Sequence, residues 1–297
     1  MIGKQQTPGA LERGPATRRV KEDPRRAGFL QKILRRMKGA SMARWATRVS
    51  AMAGRADIRF SYDADKAIYV CHDGGAHAFA HPRRLWTLFD GRDMRGNRLA
   101  YQYMLDQLDF APNDWIVDVG ANTGDLTLLF SAIDCPVNYI GFEPSPGEFR
   151  ALEYNLKSNP ALKEKTAHQL ALWHDDSAEL VFYLKSAKGD SSVFPIEGAT
   201  EEIKVPSARL DKVLPVRKYK LLKLEAEGAE PEILEGAEGI IRQFEYVAAD
   251  VGFERGVTSE STLPAVTNYL SARGFEVCAY NGSRTCLLFR NREVEHT

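Results

Sequence analysis

The stretch Trp115-Ile-Val-Asp-Val-Gly-Ala-Asn-Thr-Gly124 decides the fold of this 297-residue chain. It begins with a largely apolar run that is typical of a buried strand, and residues 126–133 after it have helical periodicity. Glycines between the two elements let the backbone come close to a ligand. The helix N-terminus then presents free N–H groups to a carboxylate or a phosphate. The stretch therefore predicts a strand, a ligand-binding turn and a helix.

The spacing of this turn narrows the class of ligand. G-x-N-x-G differs from the G-x-G-x-x-G of dinucleotide-binding proteins, because the third glycine is missing. The pattern argues against NAD and favours a shorter ligand with an amino-acid tail, such as S-adenosylmethionine (SAM). We expect Gly120, Asn122 and Gly124 to bind this cofactor. We expect Asp118 to reach its ammonium group directly or through water.

Strand and helix patterns alternate along the following residues, which indicates an α/β Rossmann-like domain with a mostly parallel, doubly wound sheet. The predicted parallel strands are 115–119, 137–142, 167–173, 221–224 and 246–249, and the predicted helices are 126–133, 146–157, 231–243 and 261–273. The closing runs 275–280 and 285–289 are separated by a short turn, which predicts an antiparallel hairpin at the sheet edge. A further β-hairpin is predicted as an insertion over about residues 176–210.

Acidic residues follow the predicted second, fourth and fifth strands, where ligands bind in open α/β sheets. Glu143 is placed to accept hydrogen bonds from a ribose diol. Glu225 and Glu227 follow the fourth strand, and Asp250 ends the fifth. Crowding of these acids predicts either a raised pKa suited to a general base or a divalent-cation site. The alternative for this region is charge that complements a helix dipole, which suits Glu230 better than Glu225 or Glu227.

His174 follows the third predicted strand and is the remaining candidate for a general base. An isolated histidine is more often a surface or packing residue, so both interpretations stay open for it.

The N-terminal part of the chain differs in charge from the rest. Residues 1–55 hold 14 Lys and Arg but three Asp and Glu, whereas the whole chain has 40 of each sign. We divide the chain into a disordered basic tail (1–27), a basic amphipathic helical segment (28–55), a β/α lead-in (56–111) and a SAM-binding domain (112–297). The helical segment is expected either to lie on an anionic membrane surface or to pack on its own domain or a dimer partner.

Three sequence blocks resemble the FkbM-like family of SAM-dependent methyltransferases. They are Asp118-Val-Gly-Ala-Asn-Thr-Gly124, Phe142-Glu-Pro-Ser-Pro146, and Lys223-Leu-Glu-Ala-Glu-Gly-Ala-Glu-Pro-Glu-Ile-Leu-Glu-Gly-Ala237. The resemblance extends over about residues 96–290, and the third block is the most specific. It departs from the family at Glu225, where the family usually has Asp.

The resemblance implies a class I methyltransferase fold, SAM as methyl donor and O-methylation of a hydroxyl. Family acceptors are commonly sugars of glycans and glycolipids, or natural products. By the same resemblance Ala171 and Leu172 border the adenine, Glu227 belongs to the cofactor site, and residues 189–193 form a loop over the cofactor. No metal ligand is assigned, and a divalent metal is not expected.

Composition limits the other function classes. The absence of a signal-like or membrane-spanning run, together with four scattered cysteines, predicts a cytoplasmic protein, with peripheral membrane contact through residues 28–55 as an option. The neutral total charge argues against nucleic acid as a partner. A non-catalytic SAM-binding module that docks on a membrane or a protein is the non-enzymatic alternative, and a homo-oligomer is left open.

Overall fold

The computed structural model describes residues 37–177, 179–185 and 190–294. The predicted tail over 1–27, and residues 28–36 of the predicted amphipathic segment, lie outside the described residues. The elements below all belong to one unit, residues 38–297.

Helices and strands are numbered in chain order. The helices are α1 (Gly39–Met52), α2 (Arg92–Gln102), α3 (Thr127–Ala132), α4 (Pro146–Ser158), α5 (Leu210–Val213), α6 (Glu230–Glu235) and α7 (Leu263–Ser271). The strands are β1 (Arg59–Asp63), β2 (Ile68–His72), β3 (Ala76–Phe79), β4 (Trp115–Val119), β5 (Val137–Phe142), β6 (Leu162–His168), β7 (Ala171–Leu172), β8 (Glu179–Lys185), β9 (Asp190–Ser192), β10 (Glu201–Ala208), β11 (Tyr219–Leu224), β12 (Phe244–Asp250), β13 (Phe275–Asn281) and β14 (Cys286–Asn291).

A seven-stranded sheet with the order β13-β14-β12-β11-β4-β5-β6 forms the centre of the domain. Its strands are parallel except β14, which runs antiparallel to both of its neighbours. This confirms the doubly wound class I fold and the antiparallel hairpin at the edge. The chain leaves β4 toward β5 on one side and returns to β11 on the other, so the strand order reverses at β4. Such a reversal opens a crevice beyond the carboxyl ends of the strands.

The two faces of the sheet are covered by separate apolar clusters. Val117 and Val119 of β4 pack into one cluster, and Ile116 packs into the other, because successive side chains of a strand point to opposite faces. Leu222 and Leu221 of β11 divide in the same way. Burial on both faces fixes the register of these strands and therefore the position of the turns that follow them.

The prediction of the third strand was wrong. β6 covers Leu162–His168 and forms the edge of the main sheet, whereas β7 pairs with β10 in a separate four-stranded sheet of order β7-β10-β8-β9. β6 has the sequence LKEKTAH, which is mostly polar; an edge strand accepts such residues, and they conceal the strand in the sequence. The predicted inserted hairpin corresponds to the antiparallel pair β8 and β10.

The predicted helix over 231–243 is also shorter than expected. α6 ends at Glu235, and a 3₁₀ turn at Ile241–Gln243 follows. Gly236 lies against the backbone of Trp173, where a Cβ would be 2.0 Å from the carbonyl oxygen.

The lead-in forms a small antiparallel sheet of β1, β2 and β3, against which α1 packs. Met42, Ala43, Ala46 and Ser50 of α1 are buried. This supports packing on its own domain for residues 39–52. Among the described residues, no helix is long and apolar enough to cross a membrane.

Candidate functional site

A cleft of about 770 Å³ lies at the carboxyl ends of the parallel strands. The turns after β4, β5, β11 and β12 line it, together with β7 and part of the lead-in. Eight of the predicted site residues line this cleft: Asp118, Gly120, Asn122, Glu143, Ala171, Leu172, Glu225 and Glu227. Gly124, His174 and Asp250 are not among its lining residues. The strand order that reverses at β4 therefore gathers distant motifs into one site.

Gly120 is required by a contact between two of these motifs. Its φ is +68°, and a Cβ built on it would lie 1.7 Å from the carbonyl oxygen of Glu225. Asn122 and Gly124 also have positive φ, at +51° and +80°. The close approach at Gly120 is thus to the neighbouring loop rather than to a ligand, and this contact holds the first and third sequence blocks together.

Lys223 is the charged centre of the cleft floor, and its role was not predicted. Its Nζ lies 3.1 Å from Asp118 Oδ1 and 3.0 Å from Glu225 Oε2, and it donates to the carbonyl oxygen of Gly120 at 2.9 Å. Although burial disfavours the ammonium, the two carboxylates raise the pKa of Lys223. Burial raises the pKa of Asp118, and Lys223 opposes that rise. The ammonium therefore neutralises acids from two strands.

Asp118 is fixed from a second side by Tyr139, whose hydroxyl donates to Oδ2 at 2.5 Å. Its other oxygen, Oδ1, is buried and, within the described part of the chain, accepts no hydrogen bond of good geometry although Lys223 faces it. An unsatisfied buried acceptor of this kind suits a cationic donor on a ligand.

Arg284 changes the interpretation of Glu225 and Asp250. Its Nη2 lies 2.6 Å from Glu225 Oε1 and 2.7 Å from Asp250 Oδ2. Burial alone would raise the pKa of Glu225, but Lys223 and Arg284 lower it to about 2. A carboxylate of such low basicity is a poor proton acceptor at neutral pH. The raised pKa that crowding predicted is therefore not found at Glu225, because two cations share the space.

Asp250 is 2% exposed, and burial raises its pKa while Arg284 opposes the rise. It also accepts from the N–H of Gly252 at 3.1 Å. With an arginine bound to both Glu225 and Asp250, the divalent-cation alternative loses its ligands. Among residues 37–177, 179–185 and 190–294, no group of three or more His, Cys, Asp or Glu is arranged to hold a metal ion.

Glu143 is held by two backbone donors at the end of β5. Its Oε2 accepts from the N–H of Asn122 and its Oε1 from the N–H of Ser145, each at 2.8 Å. Burial, with Glu148 nearby, raises the pKa of Glu143 to about 8. Each oxygen keeps a lone pair for a further donor. The backbone therefore fixes the carboxylate of Glu143 at the cleft, and its ribose role stays a prediction.

The loop between β11 and α6 is shaped by Glu230 rather than by Glu227. Oε1 of Glu230 accepts from the N–H of Ala226 at 2.8 Å and of Gly228 at 3.2 Å. Glu227 is half-buried with φ +51° and lines the cleft, and its carbonyl accepts from Ser192 at 3.1 Å. Glu230 thus holds the loop in place, and the idea that its charge complements the helix dipole stays a prediction.

The second sheet supplies the wall predicted to border an adenine. Ala171 and Leu172 of β7 line the cleft and are buried, and Ser191 and Val193 lie on its rim. Gly189 of the predicted covering loop, 189–193, lies outside the described residues. His174 is not among the residues that line the cleft; its carbonyl instead accepts from Arg209 at 2.7 Å.

Asp125 joins the lead-in to the cleft. It is bound by His77 Nε2 at 2.8 Å and by Arg95 Nη2 at 2.7 Å. Burial alone would raise the pKa of Asp125, but Arg95 and His77 hold it well below its usual range. The lead-in is therefore a structural wall of the site.

Glu254 is a site residue that sequence reasoning missed. It lies four residues after β12, lines the cleft and is half-buried. Within the described part of the chain its carboxylate makes no ion pair and accepts no hydrogen bond. Burial, together with Asp250 and Glu225, raises the pKa of Glu254 to about 7. The raised pKa of Glu254 depends on neighbours that only the folded structure brings close to it.

Residues 118–277 match the family model described as the methyltransferase FkbM domain. The match covers more than half of the chain. The chain belongs to the FkbM methyltransferase family. The matched residues include Asp118, Glu143, Glu225, Asp250 and Glu254, so the FkbM domain contains the acidic residues of the cleft.

Two curated proteins are similar in sequence to this FkbM methyltransferase. "Methyltransferase 1" of Beauveria bassiana is 28% identical over 153 residues, which cover 44% of this chain and 61% of that protein. "Methyltransferase sdnD" of Sordaria araneosa is 26% identical over 199 residues, which cover 50% of this chain and 77% of that protein. The chain therefore spans less than two thirds of the length of the first relative.

Solved structures of methyltransferases are also similar. Magnesium protoporphyrin IX methyltransferase from Synechocystis PCC 6803 is 11% identical, with a TM-score of 0.40, 70% of this chain covered and 83% of the other. A SAM-dependent methyltransferase from Aquifex aeolicus is 11% identical, with a TM-score of 0.38, 66% of this chain covered and 96% of the other.

Proposed function

We propose that this chain is a SAM-dependent O-methyltransferase that methylates a hydroxyl group on a sugar of a glycan or glycolipid. The observation that carries the proposal is the cleft, where Asp118, Glu143 and Glu254 lie at or just beyond the ends of three parallel strands. Their spacing along the sheet suits the amino-acid tail, the ribose and the reacting group of one extended ligand and its acceptor.

The residues of the cleft fit SAM. Oδ1 of Asp118 faces Lys223 at 3.1 Å without a hydrogen bond of good geometry, so we expect it to accept from the ligand's ammonium group. We expect Glu143 to accept from the ribose diol, and the apolar side chains of Ala171 and Leu172 offer a surface for the adenine. When bound, SAM supplies an electrophilic methyl group on a sulfonium sulfur. The remaining task of the protein is to place the acceptor oxygen in line with that methyl group and to receive its proton.

Glu254 is the residue that we assign to the proton. It is the described cleft acid whose carboxylate has neither an ion-pair partner nor a hydrogen bond, and its pKa of about 7 suits a base at neutral pH. Transfer of the hydroxyl proton to Glu254 leaves the oxygen with the electron pair that forms the new O–CH₃ bond. Lys223 and Arg284 lower the pKa of the neighbouring Glu225 to about 2, so Glu225 does not compete for this proton.

The entrance of the cleft supports a sugar as acceptor. Phe253 lines the cleft and is 68% exposed. An exposed aromatic ring beside a polar site offers an apolar surface to the C–H face of a sugar, while the hydroxyls face the carboxylates.

The test is transfer of a labelled methyl group from SAM to glycan and glycolipid fractions of a cell extract, followed by analysis for a methyl ether. Glu254→Gln is expected to lower kcat by about 10²- to 10⁴-fold without changing SAM affinity. The wild-type rate should rise as pH increases through about 7, and the variant should lack this rise. Glu260→Gln, at an exposed position of the same loop, is the matched control.

Wild-type turnover and an unchanged pH profile in Glu254→Gln would overturn the assignment of the base. Tight SAM binding without transfer to any hydroxyl acceptor would overturn the proposed reaction itself.

A further inference from the structure

A second hollow, of about 640 Å³, lies between α1 and the small sheet of the lead-in. Its basic lining comes from Arg44 and Arg48 of α1, Arg59 of β1 and His72 of β2. None of these residues lines the cleft of the proposed reaction. We call this set the arginine hollow.

The arginine hollow is built by a link between α1 and the free edge of β1. The hydroxyl oxygen of Thr47 accepts from the backbone N–H of Phe60 at 2.8 Å. Arg44 and Arg48 are one turn apart on the same helix and flank Thr47, so the link brings both beside Arg59. Strand pairing places His72 opposite Arg59. The fold therefore brings these four residues together from three elements.

The positive charge of the hollow is uncompensated. Within the part of the chain that the structure describes, Arg44, Arg48 and Arg59 make no ion pair with a carboxylate. Asp57 also lines the hollow, but it lies beyond ion-pair distance of all three. Burial, with Arg59 nearby, lowers the pKa of His72, so the charge at neutral pH comes from the arginines. Three guanidinium groups around one hollow present many donors to an anion.

The surroundings indicate what kind of anion the hollow would take. A volume of about 640 Å³ exceeds the needs of a bare phosphate and suits an organic phosphate ester. Met52, one turn after Arg48, is 87% exposed. Trp86 is 49% exposed, and its ring lies 6.0 Å from that of Trp45, which follows Arg44. Exposed apolar and tryptophan side chains beside arginines are typical of a surface that contacts lipid.

We propose that Arg44, Arg48 and Arg59 bind the phosphate of an anionic phospholipid headgroup, with Met52 and Trp86 facing the lipid surface. The guanidinium groups donate to the phosphate oxygens and the apolar side chains contact the interface. This contact is independent of methyl transfer, because its residues are separate from the cleft.

Sedimentation of the full chain with vesicles tests the proposal. The vesicles are phosphatidylcholine alone and phosphatidylcholine with phosphatidylglycerol at about 3:1. Arg44→Gln/Arg48→Gln/Arg59→Gln is expected to lose at least about tenfold of the partition onto the anionic vesicles, since each arginine near such a surface contributes on the order of fivefold. The control Lys157→Gln/Lys212→Gln/Lys218→Gln removes the same charge from exposed positions elsewhere and is expected to lose less than about threefold.

Equal losses in the two triple variants would mean that net charge alone drives binding, and would overturn the proposal. Absence of binding by the wild type to the anionic vesicles would overturn it as well. Thermal unfolding with glycerol 3-phosphate separates the two sources of phosphate. Stabilisation of the wild type but not of the arginine variant, without vesicle binding, would assign the hollow to a soluble phosphate ester and overturn the lipid assignment.

Discussion

Lys223→Met tests whether one ammonium holds the cleft floor together. The change removes a charge that lies 3.1 Å from Asp118 and 3.0 Å from Glu225, and it keeps most of the apolar stem. Removing one partner of a buried ion pair costs about 3–5 kcal/mol of the free energy of unfolding. Glu225 keeps Arg284 and Asp118 keeps the Tyr139 hydroxyl, so we expect the lower end, about 3 kcal/mol.

Lys220→Met is the matched control, because Lys220 lies on the same strand and also pairs with a glutamate. Its Nζ is 2.9 Å from Glu245 Oε1, but the two side chains are 15% and 19% exposed, against 6% and 1% for Lys223 and Asp118. Solvent screens such a pair, and we expect a cost of about 1 kcal/mol. Urea unfolding, with SAM affinity measured by calorimetry, compares the two variants.

The pH dependence of the free energy of unfolding tests the pairing of Lys223 with Asp118 more directly. Without the ammonium, the folded-state pKa of Asp118 rises further above its unfolded value. A raised carboxyl pKa means that the folded state binds protons more readily, so the folded state gains stability relative to the unfolded state as pH falls. The gap between wild type and Lys223→Met should therefore shrink from pH 8 to pH 5. A cost no larger than that of Lys220→Met, or a gap that widens toward pH 5, would refute the reasoning.

Three further changes test separate parts of the site. Gly120→Ala should destabilise the fold by about 2–4 kcal/mol and abolish SAM binding, because its Cβ would meet the Glu225 carbonyl oxygen at 1.7 Å. The control is Gly54→Ala, where φ is +80° and the space around the residue is open. It should cost about 1 kcal/mol by urea unfolding. The raised pKa of Glu143 means that the folded state binds this proton more tightly, so the wild type should lose stability as pH rises from 4.5 to about 8. Glu143→Gln should flatten this slope, and an unchanged slope in pH-dependent unfolding would contradict the reasoning. His174→Ala should leave kcat within about twofold, because the histidine is outside the cleft, and a large loss in the methyl-transfer assay would return it to the list of candidate bases.

The fold could be predicted from the sequence because its signals are local. The strands β4, β5 and β11 are buried on both faces, so their sequences are mostly apolar, and the glycine turn marks the end of β4. β6 was missed because an edge strand need not be buried as fully as a central strand, so its sequence can contain Lys and Glu. The apolar residues Ala171 and Leu172 were assigned to the wrong sheet, since a sequence does not state which neighbour a short strand will pair with.

The positions of the acidic residues in the site could be predicted from the sequence, but their pKa values could not. Their places at the ends of parallel strands follow from the topology. Their pKa values depend on partners distant in sequence, such as Arg284, which lies 59 residues after Glu225. No local pattern predicts that an arginine on a hairpin turn will bind two acids at the ends of other strands.

These partners also change the meaning of the acidic motifs. The sequence suggests a cleft with a large negative charge, suited to a cationic cofactor. The structure instead pairs Asp118 and Glu225 with Lys223, Asp250 with Arg284, and Asp125 with Arg95. Among the described acids of the cleft, Glu254 is the one whose carboxylate has neither a cation nor a hydrogen bond, and burial with the negative charges around it raises its pKa to about 7. Glu143 also has a raised pKa, but backbone N–H groups hold both of its oxygens, whereas the carboxylate of Glu254 has no such partner, and for this reason we assign the hydroxyl proton to Glu254.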